Sequence, residues 1–430
     1  MNPDQPPLYS GPGTWSVSAM RAHWYCKLGT NSRLAFWTSF AGFSLDAMDV
    51  QLYAFMLPVL VALWNLTHAQ AGLLATVTLV SSAAGGWIAG MLADRLGRVR
   101  LLKVTIMGLA VSTCLCGLVD GYVSFLAARA FQGLCFGSEW TVGAVLVAEA
   151  AAPEFRGRMV GAAQSAWPVG WGLAAASATL IPALLQPDWG WRAPFMIGLP
   201  PALLVFIYRT RMSETEAFLQ LTRARPAWNG IFAAPVLPST LKGCLLTTGM
   251  HGGYWAIATW WPAMLKAERG FSTGTASLYF GALVAGSFLG YAFGAWLGDR
   301  KGRRKTLASF ALGATALLLA CTLYPVSDQA LLLLSFPLGF FALGMFSVIG
   351  AVLAELYPTA LRGSGLGFCY NFGRGMAGIT PLLIGGSILG LGLRHAIGLY
   401  AIAAYALVLL AAFLLPETRG QELRSAPVES

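Results

Sequence analysis

Five ionisable side chains of this 430-residue sequence, Asp46, Asp49, Glu139, His251 and Arg374, fall near the middle of long apolar runs, and a sixth, Arg129, lies nearer the outer side of its run. A charge at mid-membrane depth costs roughly 2.5–3.5 kcal/mol even on lenient insertion scales, so its presence demands a chemical reason. Asp46 and Asp49 stand three residues apart, which puts them on one face of a helix. Two carboxyls so placed resist being ionised together, and one of them can hold and release a proton. Glu139 is the competing proton holder. Arg374 offers the complementary chemistry, a guanidinium that keeps its charge when buried and grips a carboxylate through two parallel hydrogen bonds. Tyr370 and Asn371, within about one turn of it, add donors. Permanent pairing of Arg374 with an acid on a facing helix is the competing structural role. His251 changes charge near neutral pH and could carry protons, or could hydrogen-bond between helices. Three acids set against Arg129 and Arg374 leave one acid free for a proton.

Arg129, Gln132, Phe136 and Glu139 recur at intervals of three or four, so they share a helix face, and that face is expected to line a cavity. Arg129 and Glu139 are ten residues apart, about 15 Å along a helix, too far to pair directly. Tyr254 and Trp255 follow His251 on its helix, and Trp167 and Trp171 lie on another. Their rings could stack on a planar ligand, although apolar cores use the same residues.

The elements that must position these groups are membrane helices. Hydrophobic residues make up 57% of the chain and charged residues 11%, against roughly 25% charged in an ordinary soluble domain. Twelve runs approach the length that spans a bilayer: 34–62, 70–93, 101–119, 122–150, 158–184 and 193–210, then 242–265, 273–298, 306–325, 329–357, 363–391 and 394–415. The expected organisation is a tail at 1–33, a six-helix bundle at 34–210, a linker at 211–240, a second bundle at 241–415 and a tail at 416–430.

The net charge of +10 invites a nucleic-acid reading, but the distribution of charge excludes it. With the first helix starting in the cytoplasm, all but six of the 28 Lys and Arg fall in cytoplasmic segments. The exceptions are Arg192, Lys266, Arg269 and Arg394 outside, and Arg129 and Arg374 within helices. This is the positive-inside bias, and it places both termini in the cytoplasm of a multi-pass protein of the cell membrane, the inner membrane if bacterial. Seven scattered Cys show neither a disulfide framework nor a zinc spacing, and no metal or cofactor is expected.

Charge motifs also repeat. Asp94-Arg95-Leu96-Gly97-Arg98 recurs 205 positions later as Asp299-Arg300-Lys301-Gly302-Arg303. Glu149 with Arg156-Gly157 recurs 206 positions later as Glu355 with Arg362-Gly363. Two motifs at nearly one offset mean a duplicated half. A duplicated membrane bundle with buried charges at its centre is the build of a secondary transporter, whose substrate lies between the halves.

The run Gly90-x-x-x-Asp94-Arg95-x-Gly97-Arg98 resembles the signature between helices 2 and 3 of the major facilitator superfamily; Ala295 replaces the first Gly in its second copy. Arg129-x-x-Gln132-Gly133 and Pro416-Glu417-Thr418-Arg419-Gly420 resemble two further superfamily motifs. Asp46-x-x-Asp49 and the stretch from Gly72 to Arg100 are similar to the muconate-type aromatic acid/proton symporters. Trp189 to Ala193 and Gly137-Ser138-Glu139 resemble sialate and monocarboxylate symporters.

The resemblance implies an all-α fold of two pseudo-symmetric six-helix bundles. It further implies proton-coupled import of a small organic acid, aromatic or dicarboxylic, by alternating access. A sialate or monocarboxylate symporter and a proton-coupled efflux antiporter are the alternatives; a membrane enzyme is not expected. On this reading Arg374, Tyr370, Asn371, His251, Tyr254, Trp255, Trp167, Trp171 and Gln132 hold substrate, and Asp46, Asp49, Glu139 and Arg129 handle protons. The resemblance gives Asp94, Arg95, Arg98, Asp299, Arg300 and Arg303 a role in latching the halves at the cytoplasmic surface, with Glu149 paired to Arg156 and Glu355 to Arg362. A monomer suffices.

Overall fold

In hydrocarbon every backbone N–H and C=O must find its partner within the segment, so each apolar run becomes a helix. A computed structural model describes residues 24–220, 229–380, 383–384, 390 and 392–423. Parts of the expected tails (1–23 and 424–430), the linker core 221–228 and parts of 363–391 lie outside the described residues. Among the described residues there are helices and no strands.

The first half comprises α1 (Thr30–Trp64), α2 (His68–Leu96), α3 (Arg98–Leu118), α4 (Tyr122–Ala150), α5 (Arg156–Gln164), α6 (Ala166–Leu184) and α7 (Leu199–Thr210). The second comprises α8 (Leu237–Arg269), α9 (Thr273–Lys301), α10 (Arg303–Leu323), α11 (Asp328–Ala342), α12 (Ile349–Leu356), α13 (Arg362–Ala377) and α14 (Leu393–Leu414). Nine helical spans among the described residues are long and apolar enough to cross a membrane. The α4 helix, which carries Arg129 and Glu139, is not one of them, because its buried charges dilute an otherwise apolar run.

Three boundaries differ from the sequence expectation. The α1 helix starts at Thr30, adding the polar turn Asn31-Ser32-Arg33 to the apolar run. The α8 helix starts at Leu237, inside the expected linker, because Pro238 is tolerated in a first helical turn. The fifth span is two helices, α5 and α6, meeting at Ser165. Pro168 has no N–H to give the carbonyl of Gln164, which loosens the ladder at that point.

The halves meet mainly where α2 packs on α13 and where α5 packs on α9, with α12 against α4 and α5. Glycines allow the first approach: a Cβ added at Gly363 would lie 2.5 Å from the carbonyl oxygen of Gly90. Contacts between α9 and the first half fall largely on α5 rather than α6, so the halves diverge away from the charged loops.

Candidate functional site

The charged loops lock the halves together. Gly97 and Gly302 turn the chain with φ of 103° and 102°, a conformation suited to glycine. Each turn sets an arginine against an acid of its own half. Arg98 donates to Glu149 from Nε (3.2 Å) and Nη2 (3.1 Å), and Arg303 donates to Glu355 from Nε (3.2 Å) and Nη2 (2.9 Å). The loop aspartates then cross between halves. Asp94 accepts from the backbone N–H groups of Gly363 (3.0 Å) and Ser364 (2.8 Å). Asp299 accepts from those of Gly157 (2.9 Å) and Arg158 (2.8 Å). Each carboxylate thereby caps the N-terminus of a helix in the opposite half, where unpaired N–H groups and the helix dipole favour negative charge.

The ion pairs expected within each half are not formed. Arg362 donates to Glu149 at 2.7 Å and Arg156 donates to Glu355 at 3.1 Å, so both pairs run between the halves. The in-half arginines instead satisfy local carbonyls, Arg156 Nε that of Ala148 (3.2 Å) and Arg362 Nε that of Ala354 (3.0 Å). Arg95 and Arg300 are exposed, with Arg300 over the Trp296 ring, so neither is part of this buried cluster.

Two Glu-Thr pairs complete the cluster, a role the sequence reading did not give them. Glu214 accepts from the N–H groups of Arg98 (2.8 Å), Val99 (3.2 Å) and Arg100 (3.0 Å), and Glu417 does the same for Arg303 (2.9 Å) and Arg304 (3.2 Å). Thr215 and Thr418, next in sequence, donate to Glu149 (2.5 Å) and Glu355 (2.6 Å). The recurrence of Glu-Thr 203 positions after Glu214-Thr215 was the available signal.

Beyond this closed end lies a cavity of about 420 Å³ between the halves. Arg129 and Arg374 line it, and among the described residues no Asp or Glu does. Arg374 lies between the rings of Phe136 (4.6 Å) and Tyr370 (4.9 Å) and donates to Ser82 across the halves at 2.7 Å. Neither arginine has an acidic partner within ion-pair distance among the described residues. Four buried donors on cavity-lining residues have no acceptor: Arg129 Nε, Gln164 Nε2, Trp171 Nε1 and Trp255 Nε1.

Aromatic rings form the walls. Trp140 stacks on Tyr370 at 3.3 Å and Trp171 on Phe280 at 5.3 Å, each pair joining the two halves. Trp167, Tyr254 and Trp255 also line the cavity. His251 lines it too, its ring edge-on to Tyr370 at 4.6 Å. Its Nδ1 lies 3.0 Å from the Thr247 carbonyl, which can only accept, so Nδ1 carries the hydrogen and Nε2 is the ring's acceptor.

Several expected members stand off the cavity. Asn371 donates to Thr141 (3.2 Å) and to the Gly367 carbonyl (2.9 Å), which turns it into the seam between α13 and the first half. Gln132 accepts from Arg129 and donates to Thr113 at 2.8 Å, so it bridges helices rather than facing the cavity. Glu139 is fully buried in an ion pair with Arg209 and accepts from Thr105 at 2.7 Å. Of the face expected to line the cavity, only Arg129 and Phe136 do so.

Arg209 corrects the charge count. Standing at the end of the 193–210 run it counts among the cytoplasmic cations, yet it is fully buried and pairs with Glu139. Interior acids and interior arginines are therefore equal in number, and Glu139 is not a free acid. The helix-1 pair then divides. Asp49 accepts from Thr113 at 2.6 Å. Neither oxygen of Asp46 has a hydrogen-bond partner, although the residue is fully buried. A buried carboxyl without a donor or cation in contact is disfavoured as an anion.

Comparison with known proteins agrees with this architecture. The Major Facilitator Superfamily profile matches residues 39–272 and 243–430. A probable 4-methylmuconolactone transporter of Cupriavidus pinatubonensis is 36% identical over 400 residues, covering 92% of this chain and 93% of that protein. A cis,cis-muconate transport protein of Acinetobacter baylyi is 30% identical over 382 residues, covering 85% of this chain and 91% of that protein. The solved structure of a proton:xylose symporter superposes with a TM-score of 0.77 at 19% identity, over 92% of this chain and 98% of that one.

Proposed function

This chain belongs to the Major Facilitator Superfamily, and we propose that it is a proton-coupled symporter importing a small organic acid, aromatic or dicarboxylic and muconate-like. The observation that carries the reading is the cavity's donor set. Two arginines without acidic partners and four orphaned N–H groups call for an acceptor-rich anion. A cationic cargo, as an efflux antiporter of cations would take, finds no carboxylate among the described residues of these walls. The flanking rings favour a planar or conjugated body between the charged ends. The two named relatives, a muconolactone and a muconate carrier, support the same class.

Coupling follows from placing a neutral acid beside this anion site. Asp46 holds one proton, since its carboxyl has no donor to sustain a charge, and Asp49, which accepts from Thr113, is the second exchangeable carboxyl. Positive-inside bias puts the charged loops and both termini in the cytoplasm. The state described is then closed on the cytoplasmic side by the crossed ion pairs. Import requires that those pairs part while the halves converge over the cavity's opposite end, the population shift of alternating access.

The test is uptake by proteoliposomes under an imposed inward proton gradient, with labelled cis,cis-muconate, protocatechuate, 4-hydroxybenzoate and sialate. Gradient-dependent accumulation of one acid is expected, lost on Arg374→Ala. Absence of uptake across the panel, with proton-driven efflux of a cationic dye, overturns the reading.

A further inference from the structure

A file of hydrogen bonds connects the cavity wall to a buried acid of helix 1. Arg129 Nη1 donates to Gln132 Oε1, Gln132 Nε2 donates to Thr113 Oγ1 at 2.8 Å, and Thr113 Oγ1 donates to Asp49 Oδ2 at 2.6 Å. Every donor points the same way, from the cavity toward Asp49. Three helices contribute: Arg129 and Gln132 from α4, Thr113 from α3 and Asp49 from α1. Arg129 is at once part of the wall and the head of the file, its guanidinium over Tyr53 at 4.2 Å and its Nε without an acceptor.

We propose that Gln132 and Thr113 are positioning residues that report occupancy of Arg129 to Asp49. This rests on the symport reading above. A substrate carboxylate arriving at Arg129 competes with Gln132 for the guanidinium. Once that bond is exchanged, the Gln132 amide is no longer held, and the Thr113 hydroxyl loses the neighbour that orients it toward Asp49. Asp49 then takes a proton from solution in place of the hydroxyl's hydrogen bond. Binding of the anion and binding of the proton thereby favour each other, as linkage requires of a coupled carrier.

The ionisable groups around Asp49 are few. Arg129 faces it from α4, Cys116 from α3 and Asp46 from its own helix. The backbone near Gly198, leading into α7, approaches Asp49 Oδ1 without adding a charge. Gln132 also reaches Asp49 directly, so both routes from Arg129 to Asp49 pass through its amide. A merely structural role, with Thr113 fastening α3 to α1, predicts a loss of stability and no change in coupling.

The two roles separate in the pH dependence of binding, measured on the full-length protein with cis,cis-muconate and 4-hydroxybenzoate as probes. The wild type is expected to bind one of them more tightly at about pH 5.5 than at about pH 7.5, by fivefold or more, the usual lower bound of a coupling factor. Thr113→Val and Gln132→Met are each expected to keep binding at the higher pH and to shrink that ratio to about twofold or less. Thr113→Ser, which keeps the hydroxyl, restores it. A wild-type ratio in either cut variant overturns the relay. Gln132→Met carries the test if Thr113→Val does not fold. A wild type that shows gradient-driven uptake but no change on cutting the file removes the relay and leaves symport standing. A wild type with no pH-dependent binding and no gradient-driven uptake removes both.

Discussion

Arg362 of the second half donates to Glu149 of the first at 2.7 Å, while its own half's Glu355 is taken by Arg156 at 3.1 Å. The four residues are almost wholly buried. Removing Arg362 leaves Glu149 still paired with Arg98 and Thr215, so the fold of each half keeps its own charge partners. Because both crossing pairs exist only while the charged-loop end is shut, losing one weakens the closed state alone.

Arg362→Ala is therefore expected to open this end without unfolding either half. Ser347, buried against Gly161 across the seam, provides a reporter as Ser347→Cys in a background without other cysteines. Maleimide labelling should rise about tenfold or more in Arg362→Ala. Equal labelling would mean that the aspartate caps alone keep the end closed.

Arg374→Lys is expected to lower the initial rate of uptake at least about tenfold while expression stays normal. Lysine keeps the charge but loses the planar fork and its fit between Phe136 and Tyr370. Uptake at the wild-type rate would mean that Arg374 only fastens α13 to Ser82.

Glu139 and Arg209 are expected to behave as a structural pair. Glu139→Gln or Arg209→Met alone should destabilise by about 3–5 kcal/mol, and the double variant should recover much of that loss. Thermal unfolding in detergent measures both. An unchanged melting temperature in Glu139→Gln, with coupling abolished, would return Glu139 to the proton path.

Asp46→Asn replaces a neutral carboxyl by a neutral amide of similar shape. Its melting temperature should stay near the wild-type value, because no ion pair or hydrogen bond of Asp46 is lost. Gradient-driven accumulation should disappear, while exchange of labelled for unlabelled acid at equal pH continues. Retained accumulation would leave Asp49 as the sole coupling carboxyl.

The sequence made the outline plain because charges cannot hide in apolar runs. The repeated Asp-Arg and Glu…Arg-Gly spacings exposed the duplication, and the lengths of the runs exposed the helices. Partners were harder. Residues close in sequence were paired, Glu149 with Arg156, whereas the fold carries each across to the other half. Arg209 reads as a cytoplasmic cation because it stands at the end of its run, and only the packing of α7 against α3 and α1 brings it to Glu139. Thr105 and Thr113 were invisible, since a hydroxyl in a helix ordinarily bonds its own backbone. Their significance appears only when α3 lays them against Glu139 and Asp49.

The crossed contacts of the loop cluster have the form of an isologous interface, in which residue i of one body meets residue j of the other and j meets i. Asp94 caps the helix of Arg362, and Asp299 caps that of Arg156. Glu149 takes Arg362, and Glu355 takes Arg156. Such a surface is self-complementary: a six-helix protein with one set of these residues already holds all that is needed to close against a second copy of itself. The two halves of this chain are, in that sense, a homodimer written as one polypeptide, free to diverge at the cavity while still shaking hands by the original grip.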